Sequence, residues 1–110
     1  MKKLTVIFFI NIISLLIEVV PAQPIIIAHR GAMGYAPENT ISAYKMAIEL
    51  GANALELDLR QTKDCIPVVL HDATVDNTTN GNGDVKFFNF QDLQKLDAGS
   101  WFDIKFSGEK

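Results

Sequence analysis

The apolar and polar positions of this chain change rhythm several times, and each change marks an element. Lys2 and Lys3 precede an apolar run from Leu4 to Val20, which gives way to the small-residue step Val20-Pro21-Ala22. A basic start, an apolar centre and small residues at the exit predict a secretory signal peptide over residues 1–22. Asn11 and Glu18 interrupt the run, and a glutamate is costly at a bilayer centre. Removal is therefore favoured over an uncleaved anchor, and no stable membrane span is expected after it.

The mature region, residues 23–110, opens on Ile25-Ile26-Ile27-Ala28, a short β-branched run that is apolar on both faces. That pattern predicts a strand covered on both sides, as in a parallel sheet. It ends abruptly in His29 and Arg30, and then in Gly31, Gly34 and Pro37, which predict an irregular loop. Asn39 or Thr40 is placed to cap a helix whose apolar positions are Ile41, Tyr44, Ala47 and Ile48, with Gly51 as its stop. Ala54 to Leu59 then alternates strictly, sending Leu55, Leu57 and Leu59 to one face of a strand and Glu56 and Asp58 to the other. Strand, helix, strand is a βαβ unit, and its handedness places the helix on the leucine side.

Only Arg60 to Ile66 separate this strand from Pro67-Val68-Val69-Leu70-His71-Asp72, too few for another crossover helix. The chain is expected to descend from Leu59, turn at Lys63-Asp64-Cys65 and climb again, bringing His71 to the end that carries Glu56 and Asp58. From Asp76 to Gly83 the residues are those of a polar loop. Asn89 then caps a predicted short helix with Phe90, Leu93 and Leu96 inward, Gly99 as its stop, and Trp101 and Phe102 over its end. There are no internal repeats.

Composition narrows the picture. Residues 23–110 suffice for one small core but fall below the common domain size of about 100 to 150 residues. A formal net charge of −3 gives no bulk attraction to nucleic acid, so an anionic ligand must be held by local groups. Cys65 is the sole cysteine, which excludes an internal disulfide and fits a turn-adjacent filler better than a reactive thiol or intermolecular partner.

The candidate chemistry gathers at one end of the strands: His29 with Arg30, the Glu56/Asp58 pair, and His71 with Asp72. Two carboxylates on the inner face of a strand are costly to desolvate without a counter-charge, and a divalent cation is the simplest one. Oxygen ligands favour Mg²⁺ or Ca²⁺ over zinc. An unperturbed imidazole titrates at about pH 6.5, so one histidine can accept a proton from a nucleophile while the other donates to a leaving oxygen. Arg30 offers a planar fork to phosphate oxygens. Metal, arginine and paired histidines together describe cleavage of a phosphate ester.

The motifs His29-Arg30-Gly31, Pro37-Glu38-Asn39-Thr40, Glu56-Leu57-Asp58 and Val68-Val69-Leu70-His71-Asp72, followed by Thr78-Thr79-Asn80-Gly81-Asn82-Gly83, resemble those of glycerophosphodiester phosphodiesterases. The resemblance runs from Ile25 to about Phe102. It implies an α/β (β/α)₈ TIM-type barrel, secreted or periplasmic members, and metal-dependent hydrolysis of a small-molecule glycerophosphodiester to glycerol 3-phosphate and an alcohol. In related enzymes a glycerol hydroxyl can attack first and give a cyclic phosphate. Carried over residue by residue, it makes His29 and His71 the catalytic acid/base pair, Arg30 the phosphate-binding group, and Glu56 and Asp58 metal ligands.

This sequence departs from the resemblance in two places. Asn77 stands where the family usually has an arginine, which bears on loop anchoring or substrate contacts, and Cys65 stands where a glycine is usual. A closed barrel needs about 250 residues. The chain is therefore expected to be the N-terminal part of an incomplete barrel, without the family's further metal-binding glutamate and substrate-contacting lysine, and unstable and inactive on its own. Two other readings remain: a phospholipase D-like lipase on a related barrel, and a non-catalytic secreted fragment or binding module. The five intact site residues argue against the last.

Overall fold

The structure is a computed structural model that describes residues 22–110, so the signal-peptide reading falls outside the described residues except at Ala22. Strand β1 (Ile27–Ala28), helix α1 (Ile41–Glu49) and strand β2 (Ala54–Leu55) form the predicted βαβ unit. β1 and β2 are parallel, with Ile27 opposite Ala54 and Ala28 opposite Leu55. Thr40, rather than Asn39, caps α1: its hydroxyl accepts from Ala43 N at 3.3 Å and donates to Pro37 O at 2.6 Å. Ala43 and Ala47 form the buried stripe, and Gly51 ends the helix at φ +90°.

The helix packs unusually close to the loop that follows β1. Ala32 N donates to Ala43 O at 3.0 Å, and a Cβ on Gly31 would lie 2.8 Å from both the carbonyl carbon and the Cβ of Ala43. Gly31 also has φ +82°, so glycine is required there on two counts. A concavity of about 290 Å³ between strand and helix is lined by Ile26, Ala28, Ala47 and Leu50 among others. Because Ala28 pairs with Leu55, α1 lies on the leucine side, as the handedness rule predicts.

Two strand predictions need correction. β1 is shorter than Ile25-Ala28, and Ile25, Ile26 and Ile27 are each more than half exposed, because the described residues supply a covering helix on one face only. The alternating segment from Ala54 to Leu59 is not one strand. Its start pairs with β1, and its end, β3 (Leu59–Gln61), pairs antiparallel with β4 (Pro67–Val69). Glu56, Leu57 and Asp58 lie where the chain exchanges partners: Glu56 N donates to Ala28 O at 2.9 Å, and Leu70 N donates to Asp58 O at 3.1 Å. Leu55, Leu57 and Leu59 stay substantially exposed.

The β3–β4 turn is the predicted one. The Thr62 hydroxyl donates to Asp64 Oδ1 at 2.6 Å and accepts from Ile66 N at 2.9 Å, while Cys65 takes φ +64°. That left-handed backbone explains why glycine suits this position. Asp64 Oδ1 also accepts from Phe90 N at 3.0 Å, so it caps α2 (Phe90–Leu93), whereas the Asn89 side chain makes no capping bond. α2 is one turn long, so Leu96 falls beyond it and Gly99 is not its stop. A Cβ on Gly99 would lie 1.9 Å from Phe106 O, so glycine there answers a close backbone approach. Trp101 meets Phe102 edge-on, and Phe102 meets Phe106, so the aromatic pair covers the final 3₁₀ turn (Ile104–Phe106) instead of the end of α2. Among the described residues no helix is long and apolar enough to cross a membrane.

Candidate functional site

Arg30 is the centre of the cluster. It follows β1 in a left-handed conformation, φ +56°, which a non-glycine residue holds only when its surroundings insist. Here they do. Its backbone N–H donates to Glu56 Oε2 at 2.9 Å, its Nη1 donates to Glu38 Oε1 at 3.0 Å, and its Nε lies 3.4 Å from Asp58 Oδ2. The last contact is an ion pair without hydrogen-bond alignment, since the buried Nε has no hydrogen-bond partner. His29 Nε2 is 4.0 Å from Glu56 Oε2 with its ring largely exposed. One residue pair at the end of β1 therefore addresses both acids of the Glu56-Leu57-Asp58 segment.

Asp58 is held from a second direction. Asn39, itself at φ +58°, donates from Nδ2 to Asp58 Oδ2 at 3.1 Å, and its Oδ1 accepts from Tyr44 Oη at 2.8 Å. Burial, and then the negative charges of Glu56 and Asp58, push the Tyr44 phenol above its ordinary value, which keeps it a hydrogen-bond donor. On the far side, His71 Nδ1 is 2.7 Å from Asp72 Oδ1, and Asn77 Nδ2 donates to Asp72 Oδ2 at 2.9 Å. Hydrogen bonds from Asn77 and from His71 hold the Asp72 carboxyl below the usual range, and Arg30 adds a smaller electrostatic effect. Arg60 donates from Nε at 2.9 Å, and from Nη2, to the carbonyl of His71.

Four of the five residues singled out from sequence, His29, Arg30, Glu56 and Asp58, thus meet directly. His71 reaches them through the β3–β4 hairpin, in which Leu70 bonds to Asp58. Pattern reading gave no site role to Glu38, Asn39, Tyr44 or Arg60, and it singled out Asn77 only as a departure that bears on loop anchoring or substrate contacts. Glu38 and Asn39 sit in a segment whose chemistry was visible, but their roles depend on partners across the loop. A divalent cation is the simplest counter-charge for the two acids, and Arg30 supplies part of that charge from within the chain.

Each of the two acids nevertheless keeps an oxygen in reserve. Glu56 Oε2 and Asp58 Oδ2 are committed to Arg30 and Asn39, while Glu56 Oε1 and Asp58 Oδ1 accept no hydrogen bond among the described residues. Two uncommitted carboxylate oxygens fit a hard divalent cation. No cluster of three or more potential metal-ligating side chains occurs among the described residues.

Comparison with known proteins decides the family. The model of the glycerophosphoryl diester phosphodiesterase family matches residues 29–110. The chain belongs to that family. A glycerophosphodiester phosphodiesterase of Caldanaerobacter subterraneus is 56% identical over 88 residues, which is 80% of this chain and 36% of the relative. The crystal structure of the Agrobacterium tumefaciens glycerophosphodiester phosphodiesterase superposes with a TM-score of 0.78 at 45% identity, covering 79% of this chain and 38% of that one. An Oleispira antarctica phosphodiesterase, solved with its product sn-glycerol-3-phosphate, gives a TM-score of 0.76 at 40% identity and covers 78% and 35%. The chain thus spans about a third of the length of these family members and forms part of a TIM-type barrel.

Proposed function

We propose that this chain carries the histidine, arginine and acid wall of a glycerophosphodiester phosphodiesterase site, which cleaves a small-molecule glycerophosphodiester to glycerol 3-phosphate and an alcohol. The observation that carries the reading is Arg30, which joins Glu56 and Asp58 to the histidine-bearing end of β1. In this reading Glu56 and Asp58 would hold Mg²⁺ or Ca²⁺. That ion would supply positive charge to the phosphate as charge builds on it. Arg30, already fixed by Glu38, presents the rest of its guanidinium to a phosphate oxygen.

His29 and His71 move the protons. One imidazole takes the proton of the attacking oxygen as the new P–O bond forms. The other gives its proton to the alcohol oxygen as the old P–O bond breaks. The sn-glycerol-3-phosphate bound by the Oleispira relative supports the glycerophosphate half of the substrate. The basic, apolar and small-residue pattern of residues 1–22 supports a secreted or periplasmic location.

The experiment is turnover of glycerophosphocholine by the full-length protein. His29→Ala and His71→Ala are each expected to lower kcat by about 10² to 10⁴. Unchanged turnover in either variant would remove that histidine from the chemistry.

A further inference from the structure

One exposed amide contacts the site and has no part in the scheme above. Asn77 lies in the polar loop after β4, and its side chain turns back to Asp72. Asp72 is thereby bonded at both ends of its carboxylate, with Oδ1 2.7 Å from His71 Nδ1 and Oδ2 2.9 Å from Asn77 Nδ2. We propose that Asn77 is a positioning residue, whose amide orients the Asp72 carboxylate so that His71 carries its proton on Nδ1 and presents Nε2 to the reacting oxygen.

A carboxylate turns about a broad sp³–sp² torsion, so a single bond to the imidazole leaves its plane poorly fixed. A second bond at the opposite oxygen fixes it. An ionised carboxylate only accepts hydrogen bonds, so His71 Nδ1 must carry the hydrogen in the neutral ring, which frees Nε2. The Asn77 hydrogen bond is also the foremost cause holding the Asp72 carboxyl below its ordinary range. Being neutral, the amide leaves the carboxylate charge available to the imidazolium that forms in proton transfer, which a cationic side chain would partly cancel. Arg60 fixes the backbone on the other side by its bonds to the His71 carbonyl. Backbone and ring orientation are therefore set by different residues.

The catalytic half of this proposal rests on His71 being a proton-transfer group, but its tautomer half does not. The test uses the full-length protein with Asn77→Asp, which keeps the shape but replaces the donor with a second carboxylate, and Asn77→Gln, which restores an amide. Imidazole ¹⁵N chemical shifts read the tautomer, and glycerophosphocholine hydrolysis reads kcat and KM separately. The wild type is expected to hold the proton of neutral His71 on Nδ1. Asn77→Asp should mix the tautomers and lower kcat about tenfold with KM and thermal midpoint unchanged, and Asn77→Gln should recover most of both readouts. A wild-type tautomer in Asn77→Asp would overturn the proposal, as would a loss confined to KM, which would make Asn77 a substrate contact. A mixed tautomer with unchanged kcat would uphold the positioning and instead refute the catalytic assignment of His71.

Discussion

Arg30 does two things at once, and its substitutions should separate them. Its backbone N–H bonds Glu56 while its side chain spans Glu38 and Asp58, an arrangement that needs the fixed geometry of a guanidinium. A lysine reaches one acid but not both. Arg30→Lys is therefore expected to retain the charge yet reduce kcat/KM for a glycerophosphodiester by about 10². Steady-state kinetics check this, and a near-wild-type value would mean that the fork is not used. The meeting of His29, Arg30, Glu56 and Asp58 was legible in the sequence because chain direction and alternation bring the end of β1 beside the Glu56-Leu57-Asp58 segment. The bonding partners of Glu38, Asn39, Tyr44 and Asn77 were not. Each acts through a side-chain bond that depends on loop conformation, and a left-handed asparagine such as Asn39 leaves no periodic trace.

At the scale of elements, two positions with positive φ carry opposite expectations. Cys65 pays for a left-handed turn that a glycine would occupy freely, offset in part by the greater unfolded-state freedom of glycine. Cys65→Gly should therefore stabilise the protein by about 0.5 kcal/mol. Gly31 combines positive φ with contact against Ala43, and Gly31→Ala should destabilise by about 2 to 3 kcal/mol while pushing α1 off β1. Denaturant unfolding of the full-length variants reads both signs. The βαβ unit, the α1 boundaries and the β3–β4 turn were all readable from periodicity and turn chemistry. The division of Ala54–Leu59 between two partners was not. Alternation reports which way side chains point, and that alternation continues unchanged while the backbone exchanges one neighbour for another.

Over the whole molecule, the polar C-terminal segment depends on one carboxylate. Asp97 accepts from Gly99 N, Ser100 N, the Ser100 hydroxyl and Gly108 N at 2.6 to 3.1 Å. These bonds, the Ser100 hydroxyl foremost, hold its carboxyl far below the ordinary 3.8. A depressed folded-state value contributes stability that is complete above the ordinary carboxylate range and is lost as pH falls through and below it. The melting temperature should fall on acidification from about pH 5 to 3, and more steeply in the wild type than in Asp97→Asn. Equal slopes would show that Asp97 is not the titrating anchor.

Fold membership was legible at this scale because motif order survives in sequence. The exposed apolar faces of Ile25–Ile27 and Leu55–Leu59 were not, because periodicity shows which side chains share a face and not whether a neighbouring element covers it. The central claim, that Glu56 and Asp58 hold a divalent cation beside Arg30 and the histidines, is tested most directly by glycerol 3-phosphate release from glycerophosphocholine by the full-length protein, before chelation, after it, and after Mg²⁺ or Ca²⁺ is restored. The account predicts release that chelation abolishes and one of these ions restores in the wild type, but not in Glu56→Gln or Asp58→Asn. Release that persists through chelation, or that both variants retain, would contradict it.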